Sequence, residues 1–167
     1  MTSSANRQLI VMRHSKSETG ASSDHVRQLT DRGKADAVRA GRWLADTEHV
    51  PAHVLVSSAT RAQQTFDHVS TGLGDEPEHT VRDELYAADV DDVVELCRTL
   101  PHSLHRVLVI GHNPTMVELV QQLQRRPAQE GPAHLPTSGI AVLTIPGEWT
   151  SLRLRSAQLD EEYRPAG

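Results

Sequence analysis

The chain has 167 residues, enough for one domain with a sizeable core, and a formal net charge of -5 with both signs spread along it. That distribution excludes a general affinity for nucleic acid, which needs a concentrated basic footprint. The single cysteine, Cys97, excludes an internal disulfide and a cysteine-rich metal site, and no apolar run approaches the length of a membrane span.

Residues 1–7 (MTSSANR) lack the apolar segment of a secretion signal and read as a short flexible tail, so the expected location is cytoplasmic and 8–167 is expected to form a single domain. Leu9–Met12 is a continuously apolar run, the pattern of a strand covered on both faces. Ser15–Gln28 is polar and reads as a loop. Thr30 is placed to cap a helix over Asp31–Thr47, with Ala35, Val38, Leu44 and Ala45 on its inner face. His53–Ser57 predicts a second buried strand, and Thr60–Ser70 a second helix ended by Gly72 and Gly74.

Further on, Glu78–Val81 predicts a short strand and Asp91–Leu100 a helix with acidic residues in its first turn. Arg106–Ile110 is a third strong strand, closed by Gly111. Pro114 suits the first turn of a helix through Leu123, and the proline-rich Gln124–Thr137 reads as a loop. Gly139–Ile145 and Leu152–Leu159 predict two closing strands in a hairpin around Pro146–Gly147. Trp43, Trp149 and Cys97 read as packing residues. Strands alternating with helices predict an α/β fold: a mostly parallel central sheet flanked by helices on both faces, with a C-terminal hairpin.

In such sheets ligands bind outside the carboxyl ends of the strands. The first strand delivers Arg13, His14 and Ser15; the second ends in Ser57 and Ser58, with Arg61 four residues on from Ser57; the third ends in Gly111, His112, Asn113 and Pro114. If these strands are parallel neighbours, two arginines and two histidines converge on one edge. Such a cluster is mutually repulsive unless an anion neutralises it. A phosphoryl group fits, because guanidinium forks bind its oxygens in pairs and a histidine can donate to a third. One imidazole then remains to attack phosphorus.

At these residues the chain resembles a known family. Leu9–Ser15 (LIVMRHS) is similar to the Arg-His-Gly signature of the histidine phosphatase superfamily, Val56–Thr65 (VSSATRAQQT) to its second motif and Val109–Pro114 (VIGHNP) to its third. Lys16-Ser17, then Asp24 and Arg27–Gly33, resemble the segment that follows the first motif in the SixA-type phosphohistidine phosphatases. Ser15 stands where the signature has glycine, which is compatible if that position does not need a positive φ.

The resemblance implies a phosphatase with a phosphohistidine enzyme intermediate: His14 as nucleophile, with Arg13, Arg61 and His112 holding the phosphoryl oxygens. It implies no metal and no cofactor, and a phosphorylated protein or small phosphorylated molecule as substrate. Esterases of the family carry a carboxylic acid for the leaving alkoxide; Glu84 on the Asp83-Glu84-Leu85 loop is the candidate, with Glu18 as an alternative and an ordinary loop carboxylate as the plainer reading. Arg27 is expected to reach the substrate phosphate from its loop, and Ser57 to hydrogen-bond near the pocket or to cap the following helix.

Competing readings are a phosphatase of a small phosphate ester, a mutase (disfavoured because the compact chain leaves little for a lid) and a non-catalytic phosphate-binding module. A serine hydrolase has no Gly-x-Ser-x-Gly elbow to support it. His102 and His105 invite a metal reading, but no cysteine or carboxylate set surrounds them, and they read as surface residues.

Overall fold

The computed structural model describes residues 5–126 and 134–166. Residues 1–4 of the expected tail and 127–133 of the expected loop lie outside the described residues. The strands β1 (Arg7–Arg13), β2 (His53–Ser57), β3 (Glu78–Arg82), β4 (Arg106–Gly111), β5 (Ile140–Ile145) and β6 (Gln158–Tyr163) form one sheet in the order β3-β2-β4-β1-β5-β6. The four strands from β3 to β1 run parallel; β5 and β6 are antiparallel to their neighbours. The helices are α1 (Asp31–Asp46), α2 (Thr60–Leu73), α3 (Val90–Arg98) and α4 (Thr115–Leu123).

The unbroken apolar runs of β1 and β4 have a simple cause: each face of the sheet carries its own core. Leu9, Val11, Val107 and Val109 point into the layer under α3 and α4, with Val93, Leu119 and Trp149. Ile10, Met12, Leu108 and Ile110 point into the layer under α1 and α2, with Leu44, Phe66 and Val69. Strands buried on both faces have no polar positions to alternate with.

Helix ends follow local chemistry. The Thr30 side chain accepts from the Gly33 amide at the start of α1, and Asp89 with Asp92 forms a capping box that starts α3 at Val90. Gly74 closes α2 with a φ of 77°, the left-handed cap that glycine adopts without steric cost. Gly72 is not a terminator. It lies inside α2, where α1 and α2 touch backbone to backbone. A Cβ at Gly72 would stand 2.0 Å from the Val38 carbonyl oxygen, and one at Gly41 2.1 Å from that of Val69.

Two further expectations are corrected. β1 begins at Arg7, which was assigned to the tail. Arg7 is only 3 % exposed, and its guanidinium donates to the carbonyls of Ala5, His102 and Gly147. Backbone carbonyls, two of them from distant segments, hold both ends of the guanidinium fork, and composition does not reveal them. The last strand is Gln158–Tyr163, not Leu152–Leu159. Trp149, which opens a 3-10 turn (Trp149–Ser151), and Leu152, which follows it, are buried on the α3 side as core residues, and the indole N–H donates to the Leu104 carbonyl at 2.7 Å. β6 is a polar edge strand (QLDEEY) whose alternation is weak, and the connection to it from β5 is longer than a tight hairpin.

Replacing Gly41 or Gly72 with alanine forces a methyl group into backbone, an overpacking cost of about 1–3 kcal/mol. Each variant is expected to melt several degrees below the parent in a calorimetric scan. An unchanged melting temperature in both would mean that the helices do not touch there.

Candidate active site

β2, β4 and β1 are adjacent and parallel, so their carboxyl ends share one edge. Arg13 pairs with Gly111, and Val56 with Ile110. The next residues, His14, His112 and Ser57, therefore emerge side by side, and the His14 amide donates to the Gly111 carbonyl at 3.0 Å. Arg61 arrives from the first turn of α2. The Thr65 hydroxyl ties these pieces together: it accepts from the Ser15 amide at 2.9 Å and donates to the Arg61 carbonyl at 2.7 Å. On the other side, Ser138 holds the carbonyls of Arg13 and His14 through its amide and meets the Ser15 hydroxyl at 2.6 Å. Ser138, not Ser15, carries the positive φ here, so a serine at position 15 is accommodated without backbone strain.

The four groups the sequence singled out are together. The rings of His14 and His112 stand 5.1 Å apart between centroids. Arg61 bridges them, with Nε donating to His14 Nε2 and Nη2 to His112 Nδ1, both at 3.4 Å. A guanidinium has only donors, so both of those ring nitrogens present lone pairs. The remaining contacts fix the tautomers. His14 Nδ1–H donates to the Ser15 carbonyl at 2.7 Å, and His112 Nε2–H to the Ser57 hydroxyl at 2.7 Å. Ser57 thus orients His112, and its Oγ also accepts from the amide of Ala59, the cap residue of α2, at 3.3 Å, so it serves the pocket and the start of the helix together. Arg13 is held more loosely, by one long contact of 3.5 Å to the Leu135 carbonyl.

Burial governs the proton affinities. Desolvation foremost, with His112, Arg61 and Arg13 adding to it against the opposing Ser15 carbonyl, lowers His14 to about 3. Desolvation and then Arg61 lower His112 to about 4. At neutral pH both imidazoles are neutral, and His14 directs an unshared electron pair from Nε2 into the cluster.

A rim adjoins this cluster, in which sequence reasoning assigned Arg27 a role, Asp24 only a place in the family-like segment, and Tyr86 and His25 none. Asp24, in a 3-10 turn (Asp24–Val26), pairs with Arg61 at 3.1 Å, and its backbone carbonyl accepts a second bond from Arg61 at 2.8 Å. The Tyr86 hydroxyl donates to the Asp24 carboxylate at 2.6 Å. Tyr86 sets its ring edge-on to His112 at 5.7 Å and to His25 at 4.7 Å, and His25 Nε2 lies 3.0 Å from the Ser58 hydroxyl. Arg27 binds the Asp24 carboxylate, the Ser17 hydroxyl and the Glu18 carbonyl, so its guanidinium braces the loop.

Glu84 is not joined to this network. It sits exposed on a 3-10 turn (Asp83–Leu85) and pairs with Arg82 at 2.6 Å, which lowers its proton affinity. The side chain of Glu18 is likewise exposed. His102 and His105 are exposed, and among the described residues no three histidine, cysteine or carboxylate side chains are grouped for a metal. No helix among them is long and apolar enough to cross a membrane.

Comparison with known proteins agrees with this geometry. The family model of the histidine phosphatase superfamily (branch 1) matches residues 9–94. An uncharacterized protein of Mycobacterium leprae is 35 % identical over 158 residues, covering 89 % of this chain and 96 % of its own. The phosphohistidine phosphatase SixA of Escherichia coli is 34 % identical over 140 residues, covering 83 % and 85 %. Among solved structures, a SixA-type protein of Nakamurella multipartitia superposes with a TM-score of 0.86 at 31 % identity over 99 % of this chain and all of its own. The protein histidine phosphatase SixA bound to tungstate superposes with a TM-score of 0.79 at 30 % identity, over 93 % and 95 %. A strand tip carrying arginine and a neutral histidine, a second arginine bridging it to a second histidine, and these likenesses along nearly the whole chain agree: the protein belongs to the histidine phosphatase superfamily.

Proposed function

We propose that the protein removes phosphate from phosphohistidine, as the SixA relatives are named for doing, through a phosphoryl group held transiently on His14. The observation that carries this is the pair of contacts on the His14 ring: the Ser15 carbonyl holds Nδ1–H at 2.7 Å, so Nε2 keeps its electron pair and becomes the nucleophile. Arg61 covers that nitrogen at 3.4 Å in the free protein. An arriving phosphoryl group takes over the Arg61 donors, and the uncovered nitrogen attacks phosphorus in line. Arg13 and Arg61 offset charge on the equatorial oxygens, the electrostatic work that dominates phosphoryl transfer. The phosphoryl dianion also favours protonation of His112, whose Nδ1 then donates to an oxygen rather than accepting from Arg61. Water releases inorganic phosphate from His14 in the second step.

The arginines supply the positive charge, so the reaction is assigned as metal-independent. Glu84 and Arg27 take no direct part in the steps above. The protein is assigned to the cytoplasm, where phosphorylated protein side chains are the substrates in view.

His14→Ala is expected to abolish turnover of phosphohistidine and of p-nitrophenyl phosphate while leaving the circular dichroism spectrum intact, and acid-labile phosphate is expected on His14 of the wild type during turnover. Retained activity removes His14 as nucleophile. Arg61→Ala is expected to cost two or more powers of ten in kcat/KM, in the range of losing a transition-state donor. A loss below about tenfold takes Arg61 out of the machinery. Turnover is expected to be unaffected by EDTA; loss restored by added divalent metal would overturn the metal-independent assignment.

The neutral imidazoles have a consequence for stability. In the unfolded chain both histidines return to the ordinary value of 6.5, against about 3 and about 4 in the fold. The unfolded state therefore binds more protons below pH 6.5, and the contribution of these groups, complete above that pH, is lost as the pH falls toward 4. The urea midpoint of the anion-free protein is expected to fall between pH 7 and pH 5, and to fall less in His14→Asn and His112→Gln. Parallel pH dependences in all three would show that the rings are not buried in the neutral form.

A further inference from the structure

The rim beside Arg61 has a composition that phosphate binding does not require: one carboxylate, one phenol and one imidazole at the mouth of a site built for an anion. Resting on the phosphatase reading of the same site, we propose that Asp24, Tyr86 and His25 form a leaving-group pocket that selects an N-phosphorylated imidazole, with the Asp24 carboxylate as counter-charge to the protonated ring.

The placement supports this. Arg61 spans the site: its Nε meets His14, its Nη2 meets both His112 and the Asp24 carboxylate, and its Nη1 meets the Asp24 carbonyl. Asp24 is thus at the end of the guanidinium away from His14 Nε2, and the proposed pocket takes the departing ring on that side. Tyr86 and His25, both partly exposed, line the same side with ring faces and edges against which a planar five-membered ring can pack.

The chemistry of the bond explains why a carboxylate belongs there. As the His14 Nε2 electron pair forms the new bond to phosphorus, the old P–N bond breaks and its pair stays on the leaving nitrogen. When the other nitrogen of that ring already carries a proton, the product departs as neutral imidazole and no proton need be delivered. The reactive substrate is therefore an imidazolium. It enters a site whose nearby charged groups are otherwise the guanidiniums of Arg13, Arg61 and Arg27, with His14, His112, His25 and Tyr86 as the titratable neighbours. Asp24 supplies the negative charge that such a ring needs. It must stay ionised to do so: the Tyr86 hydroxyl first, then Arg27 and Arg61, hold its carboxyl well below the usual carboxylate range. The same ionisation makes Asp24 useless as a proton donor to an alkoxide, which sets imidazole apart from an alkyl ester as the leaving group.

The test is a selectivity ratio, kcat/KM for phosphoimidazole divided by kcat/KM for p-nitrophenyl phosphate, whose phenolate also leaves without a proton but carries no positive ring. Asp24→Asn is expected to lower this ratio about tenfold or more, the loss of one charge pair, and to move the alkaline limb of the phosphoimidazole profile to lower pH. Asp24→Glu, which keeps the charge, is expected to restore most of the ratio, and Tyr86→Ala to lower it through KM. A ratio unaltered in Asp24→Asn, with both activities rising or falling together, would overturn the proposal and leave Asp24 as a counter-ion of Arg61 alone. A wild-type protein that turns over neither substrate and labels nothing on His14 would bring down the phosphatase reading itself, and this inference with it.

Discussion

A parallel sheet brings the carboxyl ends of its strands to a common edge, and here three of those ends are consecutive in space although far apart in sequence. The register of β1 against β4 sets Arg13 beside Gly111, and that of β2 against β4 sets Ser57 one step beyond Ile110. Hydrogen bonds of the ladder thereby decide which side chains meet. Two imidazoles and a guanidinium are buried together, and the loss of solvent first, with the neighbouring positive charge adding to it, keeps protons off both rings. The neutral state of His14 at pH 7 is thus a by-product of where the sheet puts it. Thr65 completes the constraint by bonding the turn after β1 to the first turn of α2, so that ring and guanidinium keep a fixed relation.

Much of this was legible in the sequence because burial on both faces leaves a plain mark. Leu9–Met12, Val54–Val56 and Val107–Ile110 are apolar without interruption, and such runs have few alternative readings. The residues that follow them inherit their placement from the strand ends, which is why Arg13, His14, Arg61 and His112 could be grouped before any contact was known. Ser57 was placed near the pocket, while its bond to His112 required the register of two strands.

What was not legible depends on contacts with no local pattern. Arg7 looks like a tail residue until the carbonyls of Ala5, His102 and Gly147 surround it. β6 is mostly polar along its length, while the apolar Trp149 and Leu152 ahead of it serve the core instead. Asp24 stands in a polar loop that also holds Glu18, and only the fold brings it to Arg61 and Tyr86. Glu84 had the more suggestive position in the chain, yet Arg82, two residues away, occupies it. Proximity in sequence favoured one acid and proximity in space the other.

The close approach of Gly41 and Gly72 reaches beyond the stability of a helix pair. Because each glycine abuts a carbonyl of the opposite helix, α2 is locked along its own axis against α1, with no side-chain cushion to let it slide. Arg61 rides on the first turn of that same helix. A displacement of a fraction of an ångström at the crossing would be carried along the helix to the guanidinium, so the aim of Arg61 is set in part by two glycines that make no contact with it.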